Sequence, residues 1–461
     1  MRNEILFTGI FTLTGEDMKG KSYVISCTIV AALGGFLFGF DTAVISGTTG
    51  SLTDVFHLSD FWLGFTVAVA LIGTVIGSIA VGKPGDVFGR KRVLIVLAVF
   101  YAVSAVGSAL AWSWLSFLFF RFLGGLAVGG SSVMAPMYIA EISPARMRGR
   151  LVAVTQFNIV TGILVAFFSN YLIAIIIKES TWRWMLGVES VPALLFFILL
   201  FFIPFSPRWL VKQNRIEEAG AVLTKIGEPN VKQELDEIVE SLTIETASKK
   251  ETLFTAKFKK PVLFAVLIAA FNQLSGINAI MYYAPRIFEK TGLAADTALL
   301  QTVAIGVTNL IFTIIAMTVI DKFGRKTLLL VGSVGMVVFM GLVAGAFYTE
   351  NFGGYAVMLY LVGFIAFFAF SQGAVIWVFI SEIFPNKVRA KGQALGSFTH
   401  WVGAAAISWL FPVAVNVKWL GGGHPFMFFS AMMVLHFIFV WKWLPETKGK
   451  SLERIQKELG I

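Results

Sequence analysis

Residues 37–47 read LFGFDTAVISG, and Asp41 is the one acid in an apolar run whose nearest charged neighbours are Lys21 and Asp54. Arg121 stands in a similar setting, inside SFLFFRFLGG. An isolated ion at the centre of a membrane helix costs about 2.5–3.5 kcal/mol on insertion scales, so each residue needs a partner or a function. Each can be the other's partner. Burial disfavours the carboxylate and a neighbouring guanidinium favours it, so a carboxyl held between the two can load and release a proton as helices rearrange. A purely structural buried ion pair is the alternative. Glu189, in GVESVPALLFF, is another acid at the edge of an apolar run, where it reads as a solvated helix-end carboxylate if it does no chemistry.

A second set of polar side chains is neutral. Gln156 lies in TQFNIVTG, and Asn272, Gln273, Asn278, Tyr282 and Tyr283 lie in NQLSGINAIMYY, with Asn309 beyond them. Within apolar spans such amides either bond neighbouring helices or line a site for a polar ligand. Asn278 follows Gln273 by five residues, so the two project differently from an ideal helix. Unwinding around Gly276 brings both to one cavity.

The elements that carry these residues are membrane helices. The 461-residue chain is 57% hydrophobic and 14% charged, against about 25% charged in soluble proteins. Apolar blocks recur along its length, each long enough to cross ~30 Å of hydrocarbon as a helix. Their continuity, without period-two alternation, excludes a barrel. Twelve spans are expected, near 23–46, 61–82, 93–111, 115–140, 151–176, 184–204, 261–284, 299–320, 327–348, 355–381, 392–414 and 425–444. The divisions are an N-terminal segment (1–21), a six-helix bundle (22–204), a linker of short amphipathic helices broken near Gly227–Pro229 (205–260), a second bundle (261–444) and a tail (445–461). Residues 1–17 are expected to be dispensable, with a conventional start at Met18. Lysine and arginine crowd GKPGDVFGRKR, SPARMRGR, DKFGRK and PNKVRAKG, whereas 47–60 and 349–355 contain neither. The rule that positive loops stay inside puts both termini and the linker in the cytoplasm of a cell-membrane protein.

Two loop motifs occur twice. Asp86 and Arg90 in GDVFGRKR recur 235 residues later as Asp321 and Arg325, and Glu141, Pro144 and Arg148 recur 241 residues later as Glu382, Pro385 and Arg389. The chain is therefore two parallel six-helix repeats, an architecture that binds substrate near the midplane between halves and exposes it to each side in turn. Arg90 and Arg325 can pair with Glu141 and Glu382, and Asp86 can face a helix N-terminus. Such pairs, with Arg148 and Arg389, are expected to clamp the cytoplasmic side and to break on inversion. Orientation alone is the alternative purpose of these basic loops.

GFDTAVISG, GDVFGRKR, RFLGGLAVGG…APMYIAEISPARMRGR, NQLSGINAIMYYAP, DKFGRK, SEIFPNKVRAKG and LPETKGKSLE stand in this order across residues 22–455. Together they resemble the sugar porter family of the major facilitator superfamily, above all its bacterial proton-coupled pentose and hexose transporters. The resemblance implies an all-α membrane protein of twelve transmembrane helices that imports a monosaccharide with a proton. It implies that Asp41 beside Arg121 is the proton site, where passive relatives usually carry asparagine, and that Glu189 assists coupling from the cytoplasmic side. It implies sugar contacts for Gln156, Gln273, Asn278, Asn309, Asn272, Tyr282 and Trp377, and more weakly for Phe38 and Trp401. Amides and aromatic planes suit sugar hydroxyls and ring faces.

Three positions depart from the family pattern. Asn272 replaces a glutamine, His400 replaces the amide before Trp401, and Phe205 replaces the glutamate of PESPR, whereas Glu446 of PETKG is intact. Histidine titrates near neutral pH, so His400 serves either specificity and pH response or as a neutral hydrogen-bonding substitute. Phe205 puts one gate contact of the first half in doubt.

Other functions fit less well. Cys27 is the sole cysteine, which excludes an internal disulfide or cysteine cluster, and His57, His400, His424 and His436 lack metal-ligand spacing. The net charge of +10 lies in loops on one side and does not indicate nucleic acid. GEDMKGKS (15–22) fits a phosphate-loop pattern but precedes a membrane span rather than opening a soluble sheet. No cofactor is expected beyond the proton as coupling ion, and no enzyme constellation occurs. The partners expected are a monosaccharide and the lipid bilayer, with no nucleotide, for a monomer. A passive facilitator is the competing reading. A sensor of this fold would carry a longer tail, and a drug antiporter would not need so many amides.

Overall fold

A computed structural model describes residues 15–247, 252–417 and 422–461. Most of the N-terminal segment expected to be dispensable lies outside these residues. Among the described residues, twelve helical spans are long and apolar enough to cross a membrane: Gly20–Phe56, Asp60–Ala80, Arg90–Ala109, Trp114–Ile142, Arg148–Ile176, Thr181–Leu199, Ala256–Lys290, Ala295–Phe323, Arg325–Tyr348, Ala356–Ile383, Asn386–Asn416 and His424–Trp443. The first span runs farther than its apolar block, because a 3₁₀ turn at Ile45–Thr48 carries it into a helix at Thr49–Phe56. Asn170 secures this turn by donating to the Val44 carbonyl at 3.0 Å.

Several spans are broken where the polar residues sit. The seventh divides into Lys259–Leu274 and Ile277–Lys290 around Gly276, whose φ of +87° favours glycine and whose missing Cβ admits the Phe429 ring. The tenth divides at Ser371 and the sixth at Val188–Glu189. Discontinuous helices near the midplane are the usual way such bundles expose backbone and polar side chains to a cavity.

Three cores hold the bundle. One, on the side opposite the linker, mixes residues of both halves, from Phe40, Val44 and Phe167 to Tyr283, Phe411 and Phe426. On the linker side each half has its own core, one around Tyr101, Tyr138 and Phe196, the other around Phe264, Phe379 and Phe384. The halves meet chiefly through the second and eleventh spans, the fifth and eighth, and the ends of the first and seventh that lie away from the linker. They therefore close on one side and share no core on the other.

The linker folds as Pro207–Lys212, Ile216–Lys225 and Val231–Ala247, with a turn at Gly227. Trp209, Leu210, Leu223 and Ile226 pack into the linker-side core of the first half. The chain after the twelfth span is more than a tail: helix Leu452–Leu459 buries Ile455 and Leu459 in the matching core of the second half.

Candidate functional site

Between the halves lies a cavity of about 140 Å³. Phe38, Gln156, Asn272, Gln273, Asn278, Asn309, Trp377, His400 and Trp401 all line it, joined by Thr42 and Thr313, which the motif reading passed over. Short hydroxyls in apolar helices are commonly absorbed by their own backbone, so nothing in their spacing marked them. The break at Gly276 lets Gln273 and Asn278 meet: the Asn278 amide donates to Gln273 Oε1 at 2.5 Å. Gln273 Nε2 in turn donates to Asn272 Oδ1 at 2.9 Å and lies 3.0 Å from His400 Nδ1. Rings wall this chain of amides. Phe38 and Trp401 meet across the halves at 5.4 Å, and Trp377 lies 5.0 Å from His400. The arrangement offers donors and acceptors in alternation between aromatic planes, which suits a small polyhydroxyl ligand.

Tyr282 is not in the lining. It is buried and lies near Thr42 and Asp41. Helical phase turns it from the cavity toward the first span, so it stands between the cavity and the charged cluster. Tyr283 faces elsewhere and donates to the Ser408 carbonyl at 2.8 Å.

The charged cluster adjoins the cavity through the first span, where Phe38 and Thr42 flank Asp41. Arg121 Nη1 lies 2.5 Å from Asp41 Oδ1 and Nη2 lies 3.2 Å from Oδ2, a bidentate pair with both residues at most 3% exposed. Gly124 gives the pair room: a Cβ there would collide with Ser104 Oγ and come within 3.6 Å of Asp41 Oδ1. Glu189, at the break of the sixth span, is 2% exposed with its carboxyl in hydrogen-bonding reach of Asp41. It is a buried member of the cluster, not a solvated helix end.

On the linker side the two loop motifs form two clusters. Arg90 contacts Asp86 at 3.1 Å and Glu141 at 3.0 Å, and Arg325 contacts Asp321 at 3.0 Å and Glu382 at 2.9 Å. Asp86 therefore serves Arg90 more directly than a helix end. Arg148 is exposed and Arg389 half-buried, and neither joins its half's cluster. Both clusters stay within one half and are formed while the halves are apart on that side. The expected pairs Arg90–Glu141 and Arg325–Glu382 are both formed, and neither bridges the two halves in this conformation.

A hydrogen-bonded contact that crosses between the halves lies on the opposite side. Arg286, in the outer part of the seventh span, donates through Nη2 to Thr53 Oγ1 at 2.6 Å and to the Thr49 carbonyl at 3.2 Å. Gly64 and Trp409 add a backbone-close crossing of the second and eleventh spans on the same side, capped by Phe65 against Trp409 at 4.9 Å. Sequence reading missed Arg286. Its signal was an arginine away from the basic loops, on the side where 47–60 and 349–355 carry neither lysine nor arginine.

Comparisons with known proteins identify the family. The chain is 40% identical to the D-xylose-proton symporter of Escherichia coli (strain K12), covering 95% of this chain and 96% of that one. It is 38% identical to the arabinose-proton symporter of Bacillus subtilis (strain 168), covering 96% of each. It superposes on the inward open conformation of the xylose transporter XylE from E. coli with a TM-score of 0.85 at 39% identity, over 95% of this chain and all of that one. Residues 27–459 match the sugar (and other) transporter family, and the chain belongs to it.

Proposed function

We propose that this protein is a secondary active transporter that imports a pentose or hexose together with a proton, by alternating access across the cell membrane. The observation that carries the reading is the Asp41–Arg121–Glu189 cluster, buried one helical turn from an amide-lined cavity. Two carboxyls face one guanidinium there, and electroneutrality in a buried site calls for one proton. Protonation of the Asp41–Glu189 pair loosens the hold on Arg121 and frees the first and fourth spans to move. Tyr282, bridging from the second half toward Thr42 and Asp41, reports sugar occupancy to the charged cluster. Gln156, Asn272, Gln273, Asn278, Asn309, Trp377, His400, Trp401 and Phe38 hold the sugar.

The basic loops, the linker and both termini lie in the cytoplasm. In that orientation the conformation described is inward-facing, a reading supported by the likeness to the inward open transporter and by the two separate linker-side cores. The Arg286 contact and the Gly64–Trp409 crossing then close the outside.

The test is reconstitution into liposomes that enclose a pH dye, at zero membrane potential, with a panel of pentoses and hexoses added outside. One sugar is expected to acidify the interior, and Asp41→Asn to abolish acidification while retaining sugar counterflow. Labelled-sugar uptake without acidification in the unaltered protein would make it a facilitator and leave Asp41–Arg121 a structural pair.

A further inference from the structure

A second cavity exceeds the midplane site in volume. It is a groove of about 540 Å³ on the lipid-facing side of the first half, where the second, third and fourth spans part toward the linker side. Its walls are apolar, among them Ala80, Pro84, Phe88, Val96 and Phe100. Phe88 is 55% and Val96 51% exposed. Gly77 keeps the floor open while the second span packs on the carbonyl of Leu126.

One charged side chain lines this groove, Arg92, at the start of the third span and beside the basic loop. Its guanidinium carbon lies 5.4 Å from the centre of the Phe205 ring. Lys91 Nζ lies 5.3 Å from the same ring and Arg215 5.7 Å. Arg215 is neutralised by Glu218 at 2.6 Å, and Lys91 donates to the Phe201 carbonyl at 3.1 Å. Arg92 pairs with no carboxylate among the described residues. At the position of the second half that corresponds to Phe205 the chain has Glu446. The first half thus keeps its cations and lacks the acid.

We propose that this groove binds a phospholipid with a net negative headgroup. An acyl chain lies along the apolar walls between Ala80 and Phe100, and the phosphate sits against Arg92 and Lys91. The level is right, because Arg92 begins a span at the boundary where headgroups meet water. Lining and charge agree independently: the groove walls are apolar, and the charged side chain among them, Arg92, stands beside Lys91. A cation near an anionic lipid contributes roughly a five-fold preference.

The probe is an equimolar mixture of dioleoyl phosphatidylglycerol and dioleoyl phosphatidylcholine, added to the purified full-length protein in detergent, with retained lipid read by native mass spectrometry. The phosphatidylglycerol adduct is expected to dominate. Arg92→Gln should lower that preference roughly five-fold. Phe205→Glu should do the same, by supplying a carboxylate of the chain's own. Ala80→Trp, at an exposed position, should remove both lipids by filling the slot. Thermal midpoints in lipid-free detergent identify any variant that fails to fold, and the proposal is judged on those that match the unaltered protein. Equal retention of the two lipids, an unchanged preference in Arg92→Gln, or full retention in Ala80→Trp would overturn it. So would displacement of the adduct by millimolar inorganic phosphate with Ala80→Trp without effect, since that marks a simple anion site.

Discussion

The two halves share one linker-side frame and differ in how they finish it. In the first, Glu141 takes Arg90 and the Ser206 hydroxyl; in the second, Glu382 takes Arg325 and the Thr447 hydroxyl. Gly89 and Gly324 make the same turn, with φ of +88° and +90°. What packs on that turn is different. Glu446 lies against Gly324 and accepts the backbone N–H groups of Arg325 and Lys326 at 3.0 Å and of Thr447 and Lys448 at 2.9 Å. Against Gly89 lies the Trp209 ring, stacked on Phe205 at 5.1 Å. A carboxylate at a helix N-terminus satisfies orphan donors and the helix dipole. An aromatic stack satisfies neither and draws cations to its faces instead. The comparison teaches that the frame depends on the arginine and its acids, while the capping position is free to change partners.

The midplane is asymmetric in another way: charge belongs to the first half, and most of the amides to the second. Three substitutions break or sharpen these contrasts. Glu446→Ala should cost the most, about 3 kcal/mol, because it orphans four backbone donors. Thermal unfolding in detergent measures it, and a loss no larger than that of Phe205→Ala would end the claim that the halves are capped differently. Gln273→Ala should weaken sugar binding roughly thirty-fold, about 2 kcal/mol, by removing the amide that links Asn272, Asn278 and His400. Equilibrium titration with the transported sugar reads this. An unchanged affinity would move the sugar toward the first half and Gln156. Arg286→Gln should shift the balance of states by about 1 kcal/mol toward the outward-open form. Labelling from outside of a cysteine placed at Val415, which is buried beside Arg286, should rise about five-fold with the substitution; no change would mean that packing at Gly64–Trp409 closes the outside alone.

Much of this site was legible because its residues break a strong rule. An acid, an arginine and several amides inside apolar runs are conspicuous, and Asp41, Arg121, Gln156, Gln273, Asn278 and Asn309 needed no coordinates to be picked out. Gly276 was legible as a break because Gln273 and Asn278 cannot share a face of an intact helix. Tyr282 lies off the cavity lining because one residue of helical phase separates the cavity from the charged cluster, and phase across a broken helix is not a local property. Glu189 was ambiguous because its surroundings come from the first and fourth spans, distant in sequence.

By itself the sequence determined twelve spans, two repeats, the polar inventory of the midplane and the side on which positive charge gathers, all consequences of hydrophobic run length and of the cost of ions in lipid. Tertiary structure alone decided which side of the bundle is closed, that the Arg90 and Arg325 clusters each stay within one half, and that Arg286 joins the halves. The physical reason is that alternating access requires a single chain to support two packings of nearly equal free energy. Local patterns are common to both packings, so only contacts between the halves distinguish them.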